Sequence, residues 1–335
     1  MSIRSLLGPG PAQENRLITG ASGQSELAWA GLASLPWRCM RIFITGATGF
    51  IGSHVAYRLL QAGHELVAIA RNPEKTPSLG SHPRVRRVHA TLYDFALIRA
   101  ELAGCDACVH VALGWGDKPL AMLETDTRAT VSLLEACADQ GVKHFIYTSS
   151  TAALGGFWSR MTEADPTRPS DYYGATKAAS EAYVLAVGAK TSMRCNVIRP
   201  GYTFGNPVAP GAPIQPDKRF GEIVKRALTG QEIQLKKGDG TQFVWAGDLA
   251  RLYQAVLDSN RSREVYFGLA TPFVSWQAVA EEAVRLTGSK SRVVTEGEPG
   301  SPCLFDLSKI REHFGLEFSS AEQITAHLRY LIEQA

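Results

Sequence analysis

Apolar and polar positions follow two alternating periods along the chain from Met40 to Pro200. Short apolar runs rich in β-branched residues predict strands, and stretches with apolar residues three and four positions apart predict helices. The predicted strands are RIFITG, HELVAIA, RVRRVHATL, CDACVHVAL, KHFIYTSS and MRCNVIRPG. The helical patterns between them are GSHVAYRLLQAG, LIRAELAGC, ETDTRATVSLLEACADQG and YGATKAASEAYVLAVGAK. Such alternation predicts a doubly wound, parallel α/β sheet.

The pattern changes after Pro200, where NPVAPGAPIQPDKR contains four prolines and predicts irregular chain. Beyond it we predict helices over FGEIVKRALTG, DLARLYQAVLDS, SWQAVAEEAVRLTG and AEQITAHLRYLIEQA, and strands over EIQL and EVYFGLA. We expect this part to form a smaller, mixed α/β region over the carboxyl edge of the sheet. Ligands of open α/β sheets bind at that edge.

Composition and charge narrow the classes of function. The 335 residues suffice for about two domains. The net charge of +3 gives no reason to expect nucleic acid or an anionic membrane as a partner. No apolar run reaches membrane-spanning length. The six cysteines are scattered and form no disulfide framework. Cys105 and Cys108 form a single C-x-x-C, which predicts buried thiols rather than a metal site. We therefore expect a reducing, cytoplasmic compartment.

Three glycines, Gly46, Gly49 and Gly52, recur at three-residue intervals between the first predicted strand and the first predicted helix. Glycine there permits a tight turn and lets the backbone approach a pyrophosphate, while the helix N-terminus supplies N–H groups and the positive end of its dipole. Because this turn opens an alternating α/β series, it predicts a dinucleotide-binding, Rossmann-type sheet.

The end of the second predicted strand bears on the choice of dinucleotide. An acidic residue about 20 positions after the glycines often holds the ribose 2′-hydroxyl of NAD. Ala70 and Arg71 occupy that place here. A guanidinium can bind a 2′-phosphate through two hydrogen bonds. We therefore predict that NADP is preferred, with NAD as the alternative.

These patterns divide the chain into three parts. Residues 1–39 lack periodicity, so we expect an N-terminal extension outside a core fold that begins at Met40. We assign residues 40–200 and about 246–270 to the NAD(P)-binding Rossmann domain. Residues 201–245 and 271–335 form the predicted substrate-binding region.

Tyr173 and Lys177 lie four residues apart in a predicted helix and therefore share one face, whereas Tyr172 pairs with Thr176. Together with the glycine turn, this pair resembles the extended branch of the short-chain dehydrogenase/reductase superfamily, which comprises NAD(P)-dependent epimerases, dehydratases and reductases. The resemblance covers about residues 40–335. The matching motifs are TGATGFIG, HVA at 110–112, LLEA at 133–136, YTSS at 147–150, YYGATK at 172–177, IRPG at 198–201 and FDLSK at 305–309.

The resemblance implies that Ser150, Tyr173 and Lys177 are catalytic. Tyr173 would be the acid/base, and Ser150 would hydrogen-bond the substrate oxygen. Lys177 would contact the nicotinamide ribose, and its charge would lower the Tyr173 pKa from about 10. Glu181 would be structural. The implied cofactor-binding residues are Gly46, Thr48, Gly49, Phe50, Ile51, Gly52, Arg71, Leu92, Val111, Ala112, Leu113, Thr148, Tyr173, Lys177 and Pro200.

The chain departs from family members that bind nucleotide-diphosphate sugars. Their diphosphate-binding Arg is absent from GDGTQFVWAGDLA, and Tyr202 and Trp115 stand where they often carry Asn and Lys. We therefore expect an uncharged or weakly charged substrate with a hydroxyl or carbonyl, contacted by Trp115, Ser150 and Tyr202. Trp245 is an alternative pocket residue, but we predict that it is core. Arg219 or Lys225 could bind a diphosphate from the C-terminal region, but we predict that both are solvated charges.

Two further departures concern the cofactor half. Thr91 stands where the family carries an Asp that meets adenine, and Asp126 stands where it carries an Asn near the start of a long helix.

Three hypotheses follow. The first is an NADP-preferring reductase or dehydrogenase, and the second is an epimerase or dehydratase that retains NAD. The third is an NADP-binding redox sensor without catalysis, which the intact Ser150, Tyr173 and Lys177 argue against. The resemblance also implies a homodimer through the helices of ETDTRATVSLLEAC and YGATKAASEAYV.

Overall fold

The computed structural model describes residues 39–298 and 302–335. Apart from Cys39, the predicted N-terminal extension lies outside them. The strands are β1 (Arg41–Thr45), β2 (Glu65–Ala70), β3 (Val85–His89), β4 (Ala107–His110), β5 (His144–Thr148), β6 (Arg160–Met161), β7 (Arg194–Pro200), β8 (Thr203–Phe204), β9 (Ile233–Lys236), β10 (Gly240–Thr241), β11 (Val244–Trp245), β12 (Val265–Gly268), β13 (Val274–Ser275), β14 (Val293–Glu296) and β15 (Leu304–Phe305).

The α-helices are α1 (Phe50–Gln61), α2 (Pro77–Gly80), α3 (Phe95–Glu101), α4 (Pro119–Met122), α5 (Ala129–Asp139), α6 (Tyr172–Lys190), α7 (Arg219–Leu228), α8 (Ala246–Asp258), α9 (Trp276–Thr287), α10 (Ser308–Phe314) and α11 (Ala321–Glu333). Short 3₁₀ turns cover Pro73–Lys75 and Thr151–Leu154, and one π-helical segment covers Leu123–Arg128.

Seven strands form the central sheet in the order β12–β7–β5–β4–β1–β2–β3, and every neighbouring pair is parallel. The predicted doubly wound parallel sheet is confirmed. The chain winds outward from β1 in both directions, so the carboxyl ends of β1 and β4 flank the point at which the strand order reverses. Ligands of such sheets bind in the crevice at that point.

Helices cover both faces of the sheet. On one face α1 and α8 pack through residues such as Val55, Leu59 and Leu252. On the other face α5 and α6 contribute Leu133 and Val184. Burial on both faces explains why β1, β4 and β5 are nearly continuous apolar runs.

The remaining C-terminal elements enclose a separate apolar cluster. Helices α7, α9 and α11 surround aromatic side chains that include Phe204, Phe220, Phe243 and Trp276. Short strand pairs, β9 with β14, β10 with β13 and β8 with β11, border this cluster. The division of the chain into a Rossmann domain and a substrate-binding region stays a prediction.

No helix in the described ranges is long and apolar enough to cross a membrane. Cys105 and Cys108 are buried, as predicted, and burial raises the pKa of the Cys105 thiol to about 11.

Candidate active site

A cavity of about 620 Å³ opens at the carboxyl edge of the central sheet. It brings together every predicted site residue except Tyr202. Its lining combines the glycine turn after β1, the ends of β2 and β4, the end of β5 and the first turn of α6. A volume of this size is typical of small-molecule and cofactor sites.

The glycine turn is built for close backbone approach. Gly46 has φ +73, and a Cβ there would lie 2.7 Å from the Ala112 backbone nitrogen. A Cβ on Gly52 would overlap the Gly46 carbonyl. The backbone N–H groups at the start of the 12-residue α1 therefore lie open beside the cavity. This geometry fits a dinucleotide diphosphate.

The opposite end of the cavity lies against β2 and β3. Arg71 and Lys75 line it, together with Leu92 and Tyr93. No carboxylate occurs among the described residues that line the cavity. The hydroxyl of Thr91 donates to Asp94 at 2.7 Å, so its hydrogen is engaged within its own turn.

Ser150 and Tyr173 meet across the inner wall of the cavity. Ser150 follows β5 and caps the turn Thr151–Leu154, where its hydroxyl accepts from the Ala152 N–H at 3.1 Å. Tyr173 is the second residue of α6, whose start is capped by Asp171. Burial raises the Tyr173 pKa, and a hydrogen bond with Ser150 opposes that shift.

The prediction that Lys177 lowers the Tyr173 pKa is wrong for this structure. The Lys177 ammonium lies 5.8 Å above the centre of the Tyr173 ring and forms an ion pair with Asp126 at 3.3 Å. Burial dominates, so the Tyr173 pKa rises above its ordinary value, and the negative charge of Asp126 adds to the rise. Burial also lowers the Lys177 pKa, and Asp126 opposes that shift most strongly.

Glu181 lies one turn beyond Lys177 and has a different neighbourhood. Arg199 on β7 donates to both of its carboxylate oxygens, at 2.9 and 2.7 Å, and the Ser149 hydroxyl also donates to it. These contacts tie α6 to the ends of β5 and β7. The geometry agrees with the structural role expected for Glu181.

The predicted substrate contacts separate in the structure. Trp115 lines the cavity, is 64% exposed and has its ring 6.3 Å from the Tyr173 ring. The prediction that Tyr202 lines the cavity is wrong, because its ring packs against Phe243 and Trp276 in the C-terminal cluster. The side chain that follows β7 turns away from the sheet edge into that cluster.

The other charged and aromatic candidates lie away from the cavity. Trp245 packs against Phe204, so its interpretation as core is confirmed. Arg219 forms an ion pair with Asp239 at 2.6 Å, and Lys225 is exposed on α7.

Sequence reasoning missed two features of the site, one in the lining of the cavity and one behind it. Lys75 adds a second cation beside Arg71, and its only signal was a position four residues further along the same loop. Asp126 was noted as a departure from the family, but its contact with Lys177 joins residues 51 positions apart, which no local spacing reveals.

Comparisons with known proteins identify the family of the chain. Residues 42–267 match the model of the NAD dependent epimerase/dehydratase family. The chain is 29% identical over 247 residues to dTDP-glucose 4,6-dehydratase of Streptomyces griseus, which covers 67% of this chain and 72% of that protein. It is 30% identical over 299 residues to cinnamoyl-CoA reductase 1 of Oryza sativa subsp. japonica. This match covers 83% of this chain and 86% of that protein.

The fold is similar to that of dTDP-glucose 4,6-dehydratase from Streptomyces venezuelae, solved with NAD bound. The TM-score is 0.74 at 24% identity, over 88% of this chain and 97% of that chain. The glycine turn, the strand order and the matched length converge on one assignment: the chain belongs to the NAD-dependent epimerase/dehydratase family.

Proposed function

We propose that the protein is an NAD(P)-dependent oxidoreductase that transfers hydride between the nicotinamide and a hydroxyl or carbonyl carbon. The observation that carries the proposal is the meeting of Ser150, Tyr173 and Lys177 in the same cavity as the glycine turn. A nicotinamide dinucleotide held by that turn supplies the hydride when it is bound.

The chain's own residues act on the oxygen of the reacting carbon. In the reducing direction the Tyr173 hydroxyl gives its proton to the carbonyl oxygen, and the Ser150 hydroxyl donates a hydrogen bond to the same oxygen. Lys177 binds ribose hydroxyls as a donor. The fold positions these groups because Ser150 follows the end of β5 at Thr148 by two residues and α6 begins one residue before Tyr173.

The cofactor preference follows from the far end of the cavity. Arg71 and Lys75 line it, and the described lining offers no carboxylate to hold a ribose 2′-hydroxyl. Two cations without an acid suit a 2′-phosphate, so we propose a preference for NADP. The NAD bound to the similar structure is a property of that protein.

The substrate end supports an uncharged or weakly charged molecule. Trp115 offers an exposed ring beside Tyr173, and Lys177, the cation lining this end, is already paired with Asp126. A diphosphate would lack a free cation there among the lining residues that the structure describes. The rice relative, named as a reductase, supports the reductase class.

Exchange of the central phenol tests the proposal. Tyr173→Phe should lower kcat/KM for reduction about 10²–10⁴-fold, because the proton donor is lost. The matched control is Tyr172→Phe, which removes the same atom from a neighbour that is 54% exposed and should leave turnover unchanged. Oxidation of NADPH would be followed with a panel of aromatic and aliphatic aldehydes and ketones. Equal activity in both variants would refute catalysis by Tyr173 and return weight to the redox-sensor hypothesis.

A second candidate function is an epimerase or dehydratase that retains NAD. The Streptomyces griseus relative is named as a dehydratase, and this name favours the second candidate. Dehydration needs a second acid or base beside the leaving hydroxyl, and the described lining contains no carboxylate for it, so epimerisation is the stronger form. Denaturing fresh protein and identifying the released nucleotide separates the candidates. Retained NAD would favour the second, and retained NADP, or an empty site that binds NADPH more tightly than NADH, would favour the first.

A further inference from the structure

We propose that Asp126 is a positioning residue that holds Lys177 in place and cancels its charge, so that Tyr173 rests as a phenol ready to donate a proton. This inference rests on the proposed function and assigns the site a preferred direction, carbonyl reduction. It concerns the position at which the sequence departs from the family's Asn.

The ion pair is withdrawn from water on both sides. The Asp126 side chain is 0% exposed and the Lys177 side chain 3%, and the carboxylate oxygen lies 3.3 Å from the ammonium. A buried lone ammonium beside a phenol would favour the phenolate. A buried ammonium with an adjacent carboxylate presents almost no net charge to the same phenol. The ordinary effect of Lys177 on Tyr173 is therefore removed in this chain.

Asp126 is itself fixed by its backbone and by a neighbouring loop. It lies in the π-helical segment Leu123–Arg128, and such segments are frequent at functional sites. The second oxygen of its carboxylate accepts from the Gly114 N–H at 3.1 Å. A Cβ on Gly114 would overlap the Thr125 carbonyl, so the loop is pressed against this segment. Asp126 thus connects Lys177 to the loop that carries Trp115.

Other groups that face Tyr173 do not replace this carboxylate. Asp171, at the start of the same helix, also raises the Tyr173 pKa, but it is exposed and its effect is smaller than that of Asp126. Tyr147 on β5 and Tyr253 on α8 are buried phenols, and burial raises the pKa of both. Asp126 is therefore the buried anion nearest to the phenol and the ammonium together.

Lys177 has two further titratable neighbours, and neither supplies a free charge. His110 on β4 is neutral, because burial lowers its pKa to about 3. Glu181 is engaged by Arg199 through two hydrogen bonds. The charge that Lys177 shows to the cavity is consequently set by Asp126.

The chemical consequence is a site poised for reduction. The O–H bond of Tyr173 would break as a new O–H bond forms on the substrate oxygen and the carbonyl double bond becomes single. A reduced nicotinamide, when bound, would supply the hydride for the carbonyl carbon. The phenolate left behind takes a proton from solvent. A resting phenol is the correct starting state for this direction.

The test titrates Tyr173 in protein free of cofactor and substrate. With ¹³Cζ-labelled tyrosine, the Tyr173 signal is identified by its loss in Tyr173→Phe. Asp126→Asn keeps the acceptor for the Gly114 N–H and removes only the charge, and it should lower the Tyr173 pKa by about one unit or more. Lys177→Gln should shift the titration to higher pH. The double variant should return it close to that of the parent.

Controls keep the outcome interpretable. Asp171→Asn removes an exposed charge and keeps the helix cap, so it should shift the titration much less than Asp126→Asn. A parent-like pKa in Asp126→Asn, or a double variant displaced as far as either single variant, would overturn the inference. If Asp126→Asn does not fold, Lys177→Gln and the double variant decide alone. Failure of the proposed function would appear separately, as unchanged turnover in Tyr173→Phe.

Discussion

Two buried ion pairs begin one turn apart on α6, and they differ in every respect except burial. Lys177 touches Asp126 through one contact at 3.3 Å and lines the cavity. Glu181 accepts two hydrogen bonds from Arg199 and a third from Ser149, and it lies outside the cavity lining. The comparison shows that burial of a charged pair does not by itself indicate function. A buried charged pair whose hydrogen-bonding groups are not all satisfied, and which lies beside a cavity, is the stronger indication of function.

The chemistry of the two cations explains the difference. A guanidinium is always charged, and its planar fork matches a carboxylate. An amine is a compact charge whose pKa moves when it is buried, and burial lowers that of Lys177. The Arg199 pair is therefore fixed, while the charge of the Lys177 pair responds to its surroundings.

The largest effect should come from breaking the fixed pair. Arg199→Leu leaves the Glu181 carboxylate buried with one remaining hydroxyl partner, so it should lower the free energy of unfolding by about 3–5 kcal/mol. Denaturant unfolding would measure this change.

The matched control for that variant is Arg99→Leu. Arg99 also donates to a carboxylate, that of Asp139 at 2.7 Å, but both side chains are 52% exposed. Its loss should cost about 1 kcal/mol or less. Similar losses in the two variants would contradict the distinction between buried and surface pairs.

The same contrast separates what the sequence predicted from what it could not. The glycine turn and the Tyr173–Lys177 spacing are local, so helix and turn geometry sufficed to place them together. The Lys177–Asp126 contact depends on the packing of α6 against the segment before α5, and without it the sign of the Tyr173 shift was predicted wrongly. The prediction that Tyr202 lines the cavity was wrong for a related reason, because its ring is more fully buried in the apolar cluster beyond β7 than it would be in the cavity.

An effect of intermediate size on the free energy of unfolding should appear at acid pH, because of His110, a neighbour of the Lys177–Asp126 pair. Burial, with a smaller contribution from Lys177, lowers the His110 pKa to about 3 in the folded protein, against about 6.5 when unfolded. The unfolded chain thus binds one more proton between these values, and stability falls as pH drops below 6.5. At pH 5 this histidine should cost about 2 kcal/mol relative to pH 7.

His110→Asn tests that contribution and keeps a polar group for Thr45 and Thr130, the partners of the histidine ring. The slope of unfolding free energy against pH, measured between pH 6 and 5, should decrease by about one proton. An unchanged slope would mean that His110 is not held neutral beside Lys177.

The smallest stability change should follow from neutralising both members of the cavity pair. Asp126→Asn with Lys177→Gln replaces two charges by two amides of similar size, and the unfolding free energy should change by about 1 kcal/mol or less. The same treatment of the fixed pair, Glu181→Gln with Arg199→Gln, removes a bidentate contact and should cost more. Denaturant unfolding of the two double variants makes the comparison direct. Equal losses would show that the Lys177 pair also serves mainly to hold α6 in place, whereas a small loss would show that this pair, unlike the Arg199 pair, contributes little to the stability of the fold.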